Sequence, residues 1–412
     1  MVKFSYPPPA THRRHRAPRR TRATLSPPRT TRIARFPFMT ASSHRVQGLN
    51  NDEVPADWPA ISGREIAWLR GRYPQLEGAD APLWHSPRPM SAAAIVEGVA
   101  GRLFVKRHHH SLRDAATLGE EHRFIAHLAA AGVPVVQVLR DRDGATAVEH
   151  DGWTYELHTL GSGEDLYRDA VSWSPLTDLA QARAAGRMLA RLHQAAASYH
   201  APQRGTHLLV ARDDLIRNHD PIAAIKADLD NRPGLARYLA RIPWEEQLRH
   251  TVLPWHAGLA DRLQAEPRLW AHNDWHVSNL LWQGDTVSTV LDFGLASPTS
   301  ALFDLATAIE RNAVAWLELQ RGAQAVRIDI ALALLDGYRQ QLPLSPTRVH
   351  LLADLLPVVH LDFALSEVEY FEGITGSTAN ADVAWHPFLL GHAQWFGSHD
   401  GQALLGALHA AA

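Results

Sequence analysis

The chain has 412 residues, of which 46% are hydrophobic and 20% charged, and its net charge is −2. This composition predicts a globular protein of one large or two medium-sized domains and excludes a largely disordered chain. With no cysteine, the sequence excludes disulfides, thiolate metal sites and a cysteine nucleophile. No stretch approaches the roughly 18 consecutive apolar residues that a membrane-spanning helix needs, so we expect a soluble, cytoplasmic protein.

The first 44 residues differ in composition from the rest of the chain. Residues 1–38 contain ten basic residues, seven prolines and no acidic residue, whereas the chain from Met39 onward has 31 basic and 43 acidic residues. Because so much proline is incompatible with a packed element, we predict a disordered basic tail over residues 1–44. A transit peptide, a nucleic-acid-binding arm and sequence upstream of a start at Met39 are the alternatives. The acidic body argues against nucleic acid as the main partner.

Residues 45–160 carry the signals of a small, β-rich lobe. Ser62 and Glu65 form a capping box that predicts the first helix. Two β-like runs then predict a hairpin, with Lys106 near the end of its second strand. In chain order, the predicted elements are a helix over residues 57–73, a hairpin turning at residues 98–101, a helix and a strand over residues 113–139, and strands over residues 146–150 and 153–157.

Residues 161–412 are predicted to form a larger, mostly helical lobe. Apolar residues recur there at helical spacing, and short β-like runs interrupt the helices once. A glycine-containing connector near residues 158–163 joins the two parts, so the sequence predicts an α+β fold of two lobes. The helical period covers residues 178–193, 206–265 and 313–372, and the two short strands lie near residues 280 and 290.

The chemically most informative stretch is residues 271–296, with the sequence AHNDWHVSNLLWQGDTVSTVLDFGLA. It contains His272, Asp274 and Asn279 in an H-x-D-x-x-x-x-N pattern, and Asp292 follows 13 residues after Asn279 in an L-D-F-G sequence. The residues between them predict a β-hairpin that brings Asn279 and Asp292 together. Phosphoryl transfer requires one carboxylate that accepts a hydroxyl proton and two further oxygen ligands for Mg²⁺, so this pattern favours a phosphotransferase.

These motifs resemble those of the aminoglycoside phosphotransferase and choline kinase family, which has a protein-kinase-like fold with a small β-rich N-lobe and a larger helical C-lobe. The resemblance extends over about residues 90–310. It implies that Asp274 is the catalytic residue that orients the acceptor hydroxyl, and that Asn279 and Asp292 hold Mg²⁺. It also implies that His276 contacts the transferred phosphate.

The same resemblance implies an ATP site in the first lobe. Lys106 matches the strand lysine that holds the nucleotide phosphates, and Glu121 matches the helix glutamate that pairs with this lysine. Backbone groups around Leu157 would contact the base, which leaves ATP and GTP as alternatives. Residues 86–95, where a phosphate-binding loop is expected, contain no glycine, so Ser91 and the adjoining backbone N–H groups are the candidates for that role.

The acceptor site has fewer signals. Trp275, next to Asp274, is either a wall of that site or part of the core. A predicted helix over residues 360–377 carries several carboxylates, and Asp362 and Glu369 share one of its faces. In the resembling family such carboxylates bind a cationic or polyhydroxylated acceptor. A solvated acidic face is the alternative.

Two histidine patterns are typical of metal binding but have simpler explanations. Consecutive side chains of a strand cannot all face one ion, so the three histidines at residues 108–110 are predicted to lie in a solvated loop. His272 and His276 have i, i+4 spacing, but the glutamate of an H-E-x-x-H zinc motif is missing. Neither pattern is therefore predicted to bind a metal ion.

The sequence thus predicts an enzyme that transfers the γ-phosphoryl group of ATP, with Mg²⁺, to a hydroxyl of a small molecule, without a nucleic-acid or membrane partner. A protein Ser/Thr kinase of the stress-response type is one alternative, but the segment from Leu295 to Asp304 has only ten residues, too few for an activation segment. A non-catalytic nucleotide-binding pseudokinase is another, and a nucleic-acid or membrane-surface binder acting through the tail is a third. The acceptor stays open among antibiotics, amino alcohols, sugars and amino acids, and the oligomeric state stays open as well.

Overall fold

The computed structural model describes residues 44–47, 53–90, 92–170 and 173–412. Of the predicted basic tail only His44 lies within these ranges, and the predicted phosphate-loop residue Ser91 lies outside them. A five-stranded antiparallel sheet dominates the first part of the described chain, and helices dominate the second. This arrangement confirms the predicted α+β fold.

The first part is built on this five-stranded sheet, and two further short strands, β1 and β2, pair with each other. Its elements are β1 (Arg45–Gln47), β2 (Glu53–Pro55), α1 (Gly63–Arg72), β3 (Trp84–His85), β4 (Ala92–Gly98), β5 (Gly101–His109), α2 (Ala115–Ala130), β6 (Val148–His150) and β7 (Trp153–Thr159). The spatial order is β3-β4-β5-β7-β6, so β5 and β7 are neighbours, and Lys106 lies opposite Glu156.

Local sequence signals explain how these elements begin and turn. The capping box forms as predicted, because Ser62 accepts a hydrogen bond from the Glu65 N–H and the Glu65 carboxylate accepts one from the Ser62 N–H at 2.8 Å. The β4–β5 hairpin turns at Gly101, whose φ of 88° favours glycine.

The second part is mostly helical. Its elements are α3 (Leu179–Ala196), α4 (Asp214–Arg217), α5 (Pro221–Asp228), α6 (Pro233–Leu239), α7 (Trp244–Thr251), α8 (Leu253–His256), α9 (Leu259–Gln264), β8 (Leu269–Ala271), β9 (Leu280–Gln283), β10 (Thr286–Val290), β11 (Ser297–Thr299), α10 (Ala301–Ala313), α11 (Ile328–Arg339), α12 (Pro346–Leu355), α13 (Leu361–Glu369), α14 (Thr378–Val383), α15 (Gly391–Phe396) and α16 (His399–Ala410). The predicted hairpin forms from β9 and β10, and β8 pairs with β11.

The helices α3 and α11 form the closest helix pair of this part. A Cβ atom on Gly186 would lie 2.1 Å from the carbonyl oxygen of Leu334, and one on Gly337 would lie 2.1 Å from that of Arg183. Two glycines therefore let the helix backbones touch. This contact fixes α3, which carries His193 toward the loop that follows β8.

Several contacts join the two parts, including a hydrogen bond of 2.8 Å from the Val290 N–H to the Pro134 carbonyl oxygen. The connector after β7 docks on β10, since Thr289 Oγ1 donates to the Ser162 carbonyl oxygen at 2.9 Å and accepts from the Ser162 N–H at 3.0 Å. Before α1, Asp57 accepts a hydrogen bond of 2.9 Å from the Tyr370 hydroxyl, which lies just after α13. Within the described ranges, no helix has the length and apolar composition needed to cross a membrane.

Candidate active site

The loop that follows β8 is held by one buried carboxylate. Asp304, in the first turn of α10, accepts hydrogen bonds from the backbone N–H groups of His272 at 2.9 Å and Asn273 at 2.8 Å. The Nε2 atom of His193 lies 3.0 Å from the same carboxylate. Because Asp304 is fully buried, these contacts compensate the loss of its hydration and fix the start of the loop.

Asn273 gives the loop its shape. Its backbone is left-handed, with φ of 61°, a conformation that asparagine adopts more readily than most residues. Its Nδ2 donates to the carbonyl oxygens of Ala271 at 3.2 Å and Ser297 at 3.1 Å, and its Oδ1 accepts from Thr299 Oγ1 at 2.7 Å. The side chain therefore locks the loop onto β8 and β11, a role that the sequence analysis did not assign.

Asp274 lies next in the loop, and its side chain is 20% exposed. Asn279 Nδ2 donates to Asp274 Oδ2 at 3.0 Å and to the Asp274 carbonyl oxygen at 2.9 Å. Arg311 of α10 forms an ion pair with the other carboxylate oxygen, Oδ1. Arg311 was not predictable from the sequence, because it follows Asp274 by 37 residues and no local pattern links the two.

The predicted proximity of Asn279 and Asp292 is present in the structure. The N–H of Leu291 donates to the carbonyl oxygen of Asn279 at 2.9 Å, and His272 Nε2 donates to the carbonyl oxygen of Leu291 at 2.8 Å. Asp292 has a left-handed backbone with φ of 53°. The β9–β10 hairpin thus returns the chain to the loop and places Asp292 next to it.

Lys106 reaches across from β5 to Asp292. Its Nζ lies 3.0 Å from Asp292 Oδ1, which also accepts from the Gly294 N–H at 3.3 Å. The Lys106 charge lowers the pKa of Asp292 and keeps this carboxylate ionised. Burial of the ammonium opposes its charge, but the carboxylates of Asp292, Glu156 and Glu121 nevertheless raise the pKa of Lys106.

Glu121 differs from the prediction, since it pairs with Arg204 rather than with Lys106. Arg204 Nη2 lies 3.3 Å from Glu121 Oε2 and 3.1 Å from the carbonyl oxygen of Thr117. The Arg204 side chain is completely buried, so it needs a carboxylate partner, and Glu121 on α2 supplies one. Lys106 pairs with Asp292 instead.

His276 also differs from its predicted role at the transferred phosphate. Its Nε2 donates to the Ser174 carbonyl oxygen at 3.0 Å, and its Nδ1 lies 2.8 Å from Ser278 Oγ. Burial lowers the pKa of His276 to about 4, so the ring is neutral at pH 7. With both nitrogens bonded to protein atoms, this ring positions the loop and has no nitrogen left for a phosphate.

Trp275 and Leu157 lie in the core. Trp275 is fully buried and stacks edge-on against His272 at 5.4 Å between ring centroids, so of its two explanations the structure supports core packing. Leu157 is 1% exposed, and its carbonyl oxygen accepts from the Leu139 N–H at 2.8 Å. Because β7 continues to Thr159, Leu157 lies within a strand, and the base contact near it stays a prediction.

Asp362 and Glu369 do share a face of α13, but that face is turned inward. Glu369 Oε2 pairs with Arg232 at 2.8 Å and with His207 at 3.0 Å, and both carboxylates are more than nine-tenths buried. Burial raises the pKa of Asp362 to about 6. The face therefore lies in the interior of the helical part, so the alternative of a solvated face is wrong, and the substrate contact stays a prediction.

A different face of α13 lies near Asp274. Phe363 and Glu367 are four residues apart on the helix, and the Arg311 guanidinium lies 5.6 Å from the Phe363 ring and 5.7 Å from the Trp173 ring. Burial raises the pKa of Glu367 to about 7 and lowers the pKa of Arg311 to about 10, and each charge partly offsets the shift of the other. A carboxylate and two aromatic rings thus lie around the Arg311 guanidinium, which pairs with Asp274.

A narrow pocket extends beneath this group, between the loop and the helices α10 and α13. Polar and aromatic side chains line it together, and its free volume of about 10 Å³ corresponds to about one water molecule. The lining includes Asn273, Thr307, Glu310, Arg311, His360, Phe363 and Phe388.

Curated relatives cover most of the chain. A homoserine kinase of Methylocella silvestris is 29% identical over 255 residues, which are 62% of this chain and 70% of that protein. A homoserine kinase of Zymomonas mobilis is 24% identical over 311 residues, which are 70% of this chain and 81% of that protein.

Solved structures resemble the fold. An amicoumacin kinase in complex with AMP-PNP, Ca²⁺ and Ami aligns with a TM-score of 0.53 and 15% identity, covering 76% of this chain and 88% of that chain. A spectinomycin phosphotransferase in complex with ADP and spectinomycin aligns with a TM-score of 0.50 and 10% identity, covering 86% and 99%. At these identities the likeness concerns the fold.

A family model connects these observations. The model described as the phosphotransferase enzyme family matches residues 91–343, which is more than half of the chain and includes Lys106, Asp274, Asn279 and Asp292. The predicted phosphotransferase is thereby confirmed. This chain belongs to the phosphotransferase enzyme family.

Proposed function

We propose that this phosphotransferase moves the γ-phosphoryl group of ATP, with Mg²⁺, to the hydroxyl of a small acceptor that carries both an amino and a carboxylate group, such as homoserine. The observation that carries the proposal is the juxtaposition of two pairs, Lys106 with Asp292 and Asp274 with Asn279. Lys106 and Asp292 suit the phosphates of a nucleotide and its metal ion, and Asp274 and Asn279 suit an acceptor hydroxyl.

The donor set near Asp292 fits Mg²⁺. The Asp292 carboxylate and the Asn279 amide oxygen are hard oxygen donors, and the amide nitrogen of Asn279 is engaged by Asp274, which leaves its oxygen for another partner. The Lys106 ammonium already contacts the Asp292 carboxylate, so this position accepts a cation. When bound, Mg²⁺ neutralises charge on the phosphate oxygens.

Asp274 has the position and chemistry of the residue that orients the acceptor. Its carboxylate accepts the hydrogen bond of the acceptor hydroxyl, and the hydroxyl oxygen forms a bond to the γ-phosphorus as the bond to the β,γ-bridging oxygen breaks. The hydroxyl proton passes to Asp274 and ADP leaves. Asn279, which donates to Asp274 at 3.0 Å, keeps the carboxylate oriented. The chemistry is positional and electrostatic.

Arg311 and Glu367 support an acceptor with two opposite charges. Arg311 contacts the Asp274 carboxylate, and an acceptor carboxylate offers this guanidinium an alternative partner that releases Asp274. The Glu367 side chain, whose pKa is raised to about 7, offers a partner for the acceptor ammonium. The names of the two curated relatives, homoserine kinases at 29% and 24% identity, agree with such an acceptor.

The two main alternatives have less support. The segment from Leu295 to Asp304 is fully used by β11 and the start of α10, which leaves no activation segment for a protein substrate. A pseudokinase usually lacks one of the four residues named above, whereas this chain has all of them.

The test is the rate of ADP release with a matched set of acceptors. We expect kcat/KM to be highest with homoserine and at least tenfold lower with 3-aminopropanol, which lacks the carboxylate, and with 4-hydroxybutyrate, which lacks the amine. Asp274→Asn should lower kcat by about 10²–10⁴ with every acceptor. A preference for spectinomycin over homoserine would reject the acceptor class, and full activity of Asp274→Asn would reject the mechanism.

A further inference from the structure

A second cluster of ionisable side chains lies inside the first part of the chain, and the phosphotransfer chemistry does not use it. Glu156 of β7 is 1% exposed, and three imidazole rings surround its carboxylate. His108 Nε2 lies 2.8 Å from Oε1, whereas His122 Nε2 at 2.7 Å and His158 Nε2 at 2.8 Å both contact Oε2. We call these four residues the histidine cluster.

The fold assembles the histidine cluster from three separate elements. Side chains two apart on a strand project to the same face, so Glu156 and His158 of β7 face the same side. Since Lys106 lies opposite Glu156, His108 of β5 projects from that face as well. His122 comes from α2, which covers it. The prediction that the histidines at residues 108–110 form a solvated loop was wrong at His108, because β5 extends to His109.

The spacing of the cluster suits a metal ion. One ligand atom from each of His122, Glu156 and His158 lies within 4.8 Å of the other two. In the part of the chain that the structure describes, this is the one group of His, Asp and Glu side chains with such spacing. Ligands of a tetrahedral Zn²⁺ ion, at about 2.0–2.1 Å from the metal, lie about 3.3 Å apart. The two separations from the Glu156 oxygen, 2.7 and 2.8 Å, therefore need only a small expansion, and the two histidine nitrogens lie within 4.8 Å of each other.

We propose that the histidine cluster binds a transition-metal ion, with Zn²⁺ as the best match. The imidazole nitrogens of His122 and His158 and one carboxylate oxygen of Glu156 are ligands that Zn²⁺ accepts, whereas Mg²⁺ prefers oxygen donors. The site is thus chemically distinct from the oxygen donors at Asn279 and Asp292. These three protein ligands join β7 to α2 and leave the fourth position of a tetrahedral ion to a water molecule, while His108 contacts the other oxygen of Glu156.

Metal content of the full chain, produced without a polyhistidine tag, tests this proposal. After removal of metals by a chelator, the protein is reloaded with Zn²⁺ in competition with a chromophoric chelator, in the absence of nucleotide and Mg²⁺. We expect one Zn²⁺ per chain, a Zn²⁺-dependent rise in Tm, and strong visible bands of four-coordinate cobalt when Co²⁺ replaces Zn²⁺. Glu156→Gln and His158→Gln should each weaken Zn²⁺ binding at least tenfold.

A matched control lies on the same helix. His127 of α2 bonds to the carbonyl oxygen of Ala195 at 2.9 Å, outside the histidine cluster, so His127→Gln should keep the metal. Asp292→Asn should keep it as well, which separates the cluster from the nucleotide site. If the cluster variants do not fold, the cobalt spectrum of the unaltered chain decides. Weak bands typical of six-coordinate cobalt, no retained Zn²⁺, or equal loss in His127→Gln would overturn the proposal.

Discussion

Asp304 shows how a single side chain prepares the site without touching a substrate. It receives two backbone N–H groups of the loop and the ring of His193, and it has no contact with solvent. An amide at this position retains one acceptor oxygen but turns its NH₂ group toward the N–H of His272 or Asn273. One donor then stays unsatisfied in the interior.

Asp304→Asn should therefore lower the free energy of unfolding by about 1.5–3 kcal/mol, the range for hydrogen bonds to charged groups. Urea unfolding at pH 7 measures it. The control is Asp336→Asn, because Asp336 is 56% exposed and pairs with Arg183 at the surface, where a change of about 0.5 kcal/mol or less is expected. Equal small losses in both variants would contradict the role of Asp304.

Contacts between single residues were predictable from the sequence where a short spacing along the chain brings the two residues together. The 13-residue gap between Asn279 and Asp292 predicts a hairpin, and the two residues are indeed tied together through Leu291. Prediction from the sequence failed for Glu121, whose partner Arg204 follows 83 residues later. It also failed for Arg311, because contacts between distant segments depend on how whole elements pack.

At the scale of elements, the helices α10 and α15 bring two ionisable groups together in the core. Glu310 Oε1 lies 3.0 Å from His392 Nδ1, and the His392 ring stacks on Trp316 at 3.6 Å between ring centroids. Burial raises the pKa of Glu310 to about 8 and lowers the pKa of His392. At pH 7 the pair is therefore a neutral carboxylic acid and a neutral imidazole, and no buried charge results.

This pair makes the stability depend on pH. Because the pKa of Glu310 is higher in the folded chain, at about 8, than its usual value of 4.5, its contribution is fully present below about pH 4.5 and is lost as the pH rises through 8. Within that window we expect the unfolding free energy to fall by up to about 1.4 kcal/mol per pH unit from this group. Urea unfolding from pH 5 to 9 measures it.

Glu310→Gln should flatten this slope, whereas Glu318→Gln should keep it, because Glu318 is 50% exposed and pairs with Arg321. An unchanged slope in Glu310→Gln would show that Glu310 is ionised in the folded chain at neutral pH.

The element scale also explains why the orientation of the α13 face with Asp362 and Glu369 could not be predicted from the sequence. Helical spacing shows that Asp362 and Glu369 share a face of α13, and they do. It does not show which face meets which neighbour, since carboxylates lie on several sides of this helix. Arg232, just before α6, and His207, in the loop between α3 and α4, determine that the 362–369 face is turned inward.

At the scale of the whole molecule, the connector after β7, the contact of Asp57 with Tyr370 and the contacts of α2 hold the β-rich and helical parts together. The Tyr370 ring also lies near Trp58, with 6.4 Å between ring centroids.

The lobe boundary at residues 160 and 161 stays a prediction, and β7 ends one residue before it. The two-lobe fold was predictable because the switch from a period of two to a helical period is visible in the sequence. The Asp57–Tyr370 contact was not, since it spans 313 residues.

Tyr370→Phe should lower the unfolding free energy by about 1–2 kcal/mol and loosen the two parts relative to each other. Hydrogen–deuterium exchange of the amides at residues 160–163 should become faster. Tyr238→Phe is the matched control, because the Tyr238 hydroxyl bonds to Asp382 at 2.8 Å within the helical part and its loss should leave exchange in the connector unchanged. Equal exchange in the two variants would contradict a bond between the two parts.

The contacts between the two parts have a mechanical consequence. Besides the connector and Asp57, the helix α2 is bound to the helical part, because Glu121 of α2 pairs with Arg204. A rigid body that is tied at several separate points cannot turn as a unit unless some of these ties break. Any movement that separates Lys106 from Asp292 therefore has to break contacts of the connector, of Asp57 or of α2 as well.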